Sequence, residues 1–172
     1  MFVVVTGGSG SGKSAFAEEQ MVSFQGDRRI YIATMYPFDE ESHKRIARHR
    51  KMREGKGFVT VERYTDLVGL QIPENSDVLL ECMSNLTANE MFQQGGAGEN
   101  TVSAVLQGIH VLLSKCRNLV VVTNEIFSDA CTYEEETKTY QRYLGEINQK
   151  MAQLADQVVE VVYGIPICQK DA

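Results

Sequence analysis

Short, nearly unbroken apolar runs alternate with helix-length segments along this chain. The runs are Phe2–Val5, Ile30–Ala33, Val78–Leu80 and Leu119–Val122, with Val158–Val162 as a fifth. Each is rich in Val, Ile or Leu, the pattern of a strand covered on both faces. The segments between them, Lys13–Phe24, Glu40–Arg53, Leu86–Gln93, Val102–Lys115 and Glu135–Leu154, have helical length. Strands that alternate with helices join through right-handed crossovers, so the pattern predicts one α/β domain over residues 1–172 with a mainly parallel sheet. Phe58–Glu62 alternates polar and apolar and is expected at a sheet edge. Gln94–Asn100 is glycine-rich and polar, the composition of a loop between two helices.

Composition adds limits to this picture. The chain has 172 residues and is 43% hydrophobic, enough to close a core without disulfide or metal staples. Acidic residues number 23 and basic residues 17, a net charge of −6 that argues against nucleic acid or an anionic membrane surface as partner. No apolar stretch approaches the ~18 residues of a membrane span. Cys82, Cys116, Cys131 and Cys168 are widely and irregularly spaced, and the N-terminal MFVVVTGG lacks the features of a secretory leader. Together these predict reduced thiols in a soluble, cytoplasmic protein. The average conceals one feature: seven of the 17 basic residues lie between Lys44 and Lys56.

The first apolar run leads into Gly7, Gly8, Ser9, Gly10, Ser11, Gly12, Lys13 and Ser14, which satisfies G-x-x-x-x-G-K-[ST]. Glycines let the backbone curl until successive N–H groups face inward as an anion nest. The helix that follows adds its positive end. Lys13 is placed to reach the β- and γ-phosphates of a nucleoside triphosphate, and the Ser14 hydroxyl is a natural Mg²⁺ ligand. In an open parallel sheet the carboxyl ends of the strands line the ligand crevice. Glu81 and Glu125 each follow an apolar run and are both candidates for the carboxylate on the metal side.

Glu40–Arg53 carries acids in its first turn and bases toward its end, in accord with the helix dipole. Few of its positions are apolar, so it is expected on the surface near the end of the second strand. Arg45 and His49 share a face, as do His49 and Arg53. A basic face near the crevice suits a triphosphate. Neighbouring cations disfavour the protonated form of His49, and a neutral imidazole is a competent nucleophile toward phosphorus. His43 and His110 lack such a setting and read as structural.

The ordered set VTGGSGSGKS (5–14), YIAT (31–34), RIARHR (45–50), LLEC (79–82), VTNE (122–125), INQ (147–149) and ADQVVEVVYGIP (155–166) resembles the bifunctional adenosylcobinamide kinase and adenosylcobinamide-phosphate guanylyltransferase family of cobalamin assembly, from end to end. The resemblance implies a RecA-like P-loop fold with flanking helices, a trimer, and ATP or GTP with adenosylcobinamide as substrates. It implies that Gly7–Ser14 hold the nucleotide phosphates, with Lys13 catalytic, and that His49 is the guanylylated histidine. Thr34, Arg45, Arg50 and Glu81 fall to the nucleotide site, Glu81 with the guanine amino group as its candidate contact; Ser14 and Glu125 then fall to Mg²⁺. The chain departs from the family pattern after Glu125, where residues 126–133 replace a V-G-x-G-I-V-P loop. A P-loop alone would equally serve a plain small-molecule or nucleotide kinase, or a non-catalytic nucleotide-switched module.

Overall fold

The computed structural model describes residues 1–126 and 135–172. The family-divergent loop after Glu125 therefore falls, but for Ile126, outside the described residues, as does Cys131. Strands β1 (Phe2–Thr6), β2 (Arg29–Ala33), β3 (Phe58–Glu62), β4 (Asp77–Glu81), β5 (Asn118–Val122), β6 (Gln157–Val162) and β7 (Ile165–Asp171) form one sheet in the order β3-β2-β4-β5-β1-β6-β7. All neighbours pair in parallel except β6 and β7. Helices α1 (Lys13–Ser23), α2 (Glu40–Arg53), α3 (Met83–Phe92), α4 (Thr101–Lys115) and α5 (Glu135–Leu154) lie in the other connections, while β3 leads to β4 through a 3-10 turn at Leu67–Gly69 and β6 leads directly to β7.

The strands read as continuous apolar runs because both faces are covered. Val3, Val5, Tyr31, Leu79, Val120 and Val122 point to one side and pack with Ala17 and Met21 of α1. Their neighbours Val4, Ile30, Ile32, Val78, Leu80, Leu119 and Val121 point to the other, against Leu86 of α3, Ile109 and Leu112 of α4, and Leu144, Ile147 and Met151 of α5. This period-2 division fixes register, since a one-residue slip would exchange the two cores. The expected strands and helices are all present among the described residues, with edges moved by up to three residues. Gln94–Asn100 is not wholly irregular: Gly98–Asn100 forms a 3-10 turn that runs into α4.

One element was not foreseen. β7 returns antiparallel to β6 across the two-residue turn Tyr163-Gly164, both with positive φ (51° and 76°). It closes the sheet edge with Pro166 in place, which an edge strand tolerates. The other edge is β3, as the alternation of Phe58–Glu62 predicts.

Candidate active site

β1 ends at Thr6 and the chain turns at once through the glycine loop into α1. Gly12 is the N-cap at φ 93°, a left-handed conformation that a side chain would strain. It offers no side-chain cap, so the first amides of α1 are left for an anion. Lys13 folds back, its Nζ donating to the Gly8 carbonyl at 2.9 Å. Burial lowers the Lys13 pKa, Cys82 and Glu81 oppose the shift, and Arg45 adds to it. A bound phosphate would replace the carbonyl as partner for this ammonium.

Glu81, the last residue of β4, stands at the centre of the site. Ser14 Oγ donates to its Oε1. Tyr31 Oη donates to its Oε2 at 3.0 Å, and His49 Nδ1 lies 3.6 Å from Oε1. Parallel pairing places Ala33 opposite Glu81, which sets Tyr31 two residues further back on β2, within reach. Burial and then the Glu81 charge push the Tyr31 hydroxyl well above its usual range, so it serves as a donor. The Arg53 guanidinium lies 3.4 Å over the Tyr31 ring, a cation–π contact that closes the back of the site.

α2 begins at a capping box in which the Asp39 side chain accepts from Ser42 N (2.7 Å) and Asp39 N donates to Ser42 Oγ (3.0 Å). From that fixed start, His49 comes round to face the P-loop. The basic cluster does not act as one field. Lys44 pairs with Glu40, Arg50 with Glu62 (3.0 Å) and Lys56 with the buried Glu18 (2.6 Å). Arg45 and Arg48 remain directed to the cavity. The Glu81 carboxylate lies 3.6 Å from the imidazole, an anion beside the cations that the sequence places around His49.

These groups line one cavity of about 680 Å³, walled by Ser9–Ser14, Tyr31, Arg45, His49, Arg50, Glu81 and Glu125 among others. It has the size of a nucleotide pocket. Gly7 and Gly8 of the loop do not line it; the Gly7 carbonyl accepts from Glu125 N–H at 3.2 Å and the Gly8 carbonyl from Lys13. Thr34 is not brought to the cavity. It is fully buried, and its hydroxyl donates to the Cys82 carbonyl (2.8 Å) and accepts from Cys82 N–H (2.7 Å), so it secures the strand end that bears Glu81. His43 and His110 are exposed and away from the cavity, not packed into structure. Sequence reasoning missed Tyr31 as a site residue; its place one strand from Glu81 follows only from sheet order. Ser14 and Glu125 present hard oxygen donors to the same cavity, a set that suits Mg²⁺ alongside phosphate oxygens, while the Glu81 carboxylate faces Ser14, Tyr31 and the His49 ring. Cys82, Cys116 and Cys168 are free thiols, and no described helix is long and apolar enough to cross a membrane.

A glycine loop between the interior strand β1 and α1, with a strand-end carboxylate beside its serine, defines a P-loop nucleotide-binding α/β protein. Solved structures agree on the fold: a KaiC-like protein of Pyrococcus horikoshii OT3 (TM-score 0.51, 13% identity, 92% of this chain and 71% of that one) and a prototypical ATPase of a bacterial type III secretion system (TM-score 0.53, 8% identity, 98% and 56%). The chain belongs to the cobinamide kinase / cobinamide phosphate guanyltransferase family, whose model matches residues 3–168. It is 33% identical to the bifunctional adenosylcobalamin biosynthesis protein CobU of Escherichia coli K12 and 31% identical to that of Salmonella typhimurium LT2. Both alignments cover 97% of this chain and 98% of the relative.

Proposed function

We propose that the chain carries out both family reactions at this one cavity: phosphorylation of adenosylcobinamide by a nucleoside triphosphate, then transfer of GMP from GTP to the phosphate so made, by way of a guanylyl-histidine at His49. The observation that carries the reading is the meeting of the P-loop serine and the α2 histidine on one carboxylate, Glu81. A plain kinase needs the first partner and has no use for the second.

In the kinase step the triphosphate lies on the P-loop amides and Lys13 spreads the charge that develops on the transferred group. Ser14 and Glu125 would hold Mg²⁺, which would supply further neutralisation of the phosphate oxygens. Arg45 and Arg50 line the nucleotide's cavity, although Arg50 must leave or share Glu62 to reach it. In the transfer step His49 attacks the α-phosphorus, a P–N bond forms, and the bond to the β-phosphate breaks to release pyrophosphate. The phosphate of the acceptor then displaces the histidine and yields adenosylcobinamide-GDP. Covalent catalysis divides a difficult transfer between two anions into two easier displacements. The family resemblance further supports a homotrimer acting in the cytoplasm.

GTP labelled at the α-phosphate tests this. Acid-labile label on the protein is expected, lost in His49→Ala while cobinamide phosphorylation continues. Phosphorylation without label in the native protein would leave a plain kinase. Neither label nor turnover would leave a nucleotide-switched binding module.

A further inference from the structure

We infer that Glu81, fixed by Tyr31, holds the Nδ1 face of His49, so that Nε2 is the nitrogen that carries the guanylyl group. This rests on the reading of His49 as the nucleophile and specifies which of its atoms reacts. The two ring nitrogens are not equivalent here. Nδ1 is buried with no hydrogen-bond partner and points at Glu81 Oε1, 3.6 Å away. The side chain as a whole keeps 18% of its surface open and lines the cavity. A phosphorus atom approaching from the cavity meets the open side of the ring and cannot reach Nδ1 without displacing a carboxylate.

The carboxylate that faces Nδ1 decides the tautomer. An imidazole flanked by an anion on one nitrogen keeps its proton there, which leaves the lone pair on the other nitrogen. As Nε2 attacks, the electron pair of the broken Pα–O bond leaves with pyrophosphate. The ring becomes a guanylyl-imidazolium whose Nδ1 proton and positive charge face Glu81. When the acceptor phosphate attacks, the P–N electron pair returns to Nε2 and the neutral ring is restored. A carboxylate beside Nδ1 thus favours the covalent state without entering the bond changes.

Glu81 also lines the cavity, so it serves this role only while its carboxylate stays on the His49 side. Tyr31 supplies the restraint through its 3.0 Å hydrogen bond to Oε2, and Arg53 pins the Tyr31 ring from above at 3.4 Å. Tyr31 acts through its hydrogen bond to Glu81, which makes it a positioning residue.

Two measurements on the full-length protein test the inference. First, the guanylyl-enzyme is prepared from GTP and protein labelled with ¹⁵N-histidine, and the nitrogen bonded to phosphorus is read from ¹⁵N–³¹P coupling and the ring-proton pattern. Linkage through Nε2 of His49 is expected. Linkage through Nδ1 of His49 overturns the inference while leaving the histidine assignment intact; phosphorus bound to any other residue overturns both. Second, Tyr31→Phe is expected to slow formation of the guanylyl-enzyme about tenfold, or ~1.4 kcal/mol in the barrier, with KM for GTP changed less than twofold. A variant with unchanged kcat, or one altered only in KM, overturns the positioning role.

Discussion

Lys13 is the residue on which phosphate chemistry and folding most directly conflict. Its ammonium is mostly buried, and the Gly8 carbonyl is a neutral partner for a charge that burial disfavours. The site therefore meets an incoming triphosphate with an under-compensated cation, whose pairing strengthens the site when the anion arrives. Lys13→Met keeps the packing and removes the charge. It is expected to lower kcat of both the kinase and the guanylyl-enzyme-forming reactions by roughly 10²–10³-fold, the scale of one lost transition-state donor. Near-native rates in either assay would assign the charge to other cations, Arg45 first. The loop itself was legible from sequence because its requirement is local: Gly12 needs φ 93°, and a Cβ there would also crowd Gly164 Cα at 3.3 Å. Tyr31 and Thr34 were not legible, since both lie in or beside an ordinary apolar strand. Only the β2–β4 register shows that one holds Glu81 and the other holds Cys82.

At the scale of elements, α2 depends on its cap more than on its core. Of its 14 residues only Ser42 and Arg53 are buried, so little apolar packing holds the helix that presents His49. Asp39→Ala removes the acceptor for Ser42 N–H and should fray the first turn. The expected result is a lower urea midpoint with unchanged m, and a fall in guanylyl-enzyme formation larger than the fall in kinase rate. Equal falls would mean that α2 serves both steps alike. Hydrogen bonds from Ser42 hold the Asp39 carboxyl below its usual range. The cap's contribution is present above the unfolded value of 3.8 and is lost as pH drops through the lower folded value.

α4 gives a case where two element-scale effects have opposite sign. Gly108→Ala would gain up to ~1 kcal/mol in helix propensity. The added methyl would land inside the Leu67 side chain, whose near atom is Cβ and cannot swing away. Overpacking of this kind costs typically ~1–3 kcal/mol, so packing wins and the substitution is expected to lower the midpoint. A Gly108→Ala variant more stable than the native protein would show that the turn at Leu67–Gly69 yields. Such glycines are hidden in sequence, where Gly108 reads as a weak point in a helix. β7 was hidden for a different reason. Its IPICQKD lacks a clean alternation, although Tyr163-Gly164 between two apolar runs is a two-residue hairpin signal that would have found it. The INQ and VTNE motifs were visible but unconnected until the fold joined them, with Thr123 Oγ1 donating to Asn148 Oδ1 at 2.8 Å.

Across the whole molecule, the net charge of −6 conceals a basic cluster whose members are mostly occupied, as ion pairs or on the Tyr31 ring. What remains open to a triphosphate is Arg45 and Arg48, which line the cavity together with Lys13. Stability at high pH is set instead by neutral acids inside the fold. Burial pushes the Cys116 thiol from 9.0 up to about 11 and the Tyr140 hydroxyl from 10.0 up to about 12, and raises Tyr31 well above 10.0. In each case the folded protein keeps a proton that the unfolded chain releases earlier, so the unfolded state binds fewer protons and stability falls as pH rises. The contribution is whole below about pH 9 and is lost progressively from there through about pH 12. Burial raises Cys82 and Tyr64 as well, so Lys13, lowered from 10.5 and working in the opposite direction over its own range, is one group against five. Urea midpoints measured at about pH 8, 9.5 and 11 should therefore decline. Tyr140→Phe loses the hydrogen bond to the Ser84 carbonyl (3.2 Å), so it should start lower at about pH 8 and decline less steeply above about pH 10. Parallel curves for the two proteins would show that Tyr140 does not govern the alkaline limb.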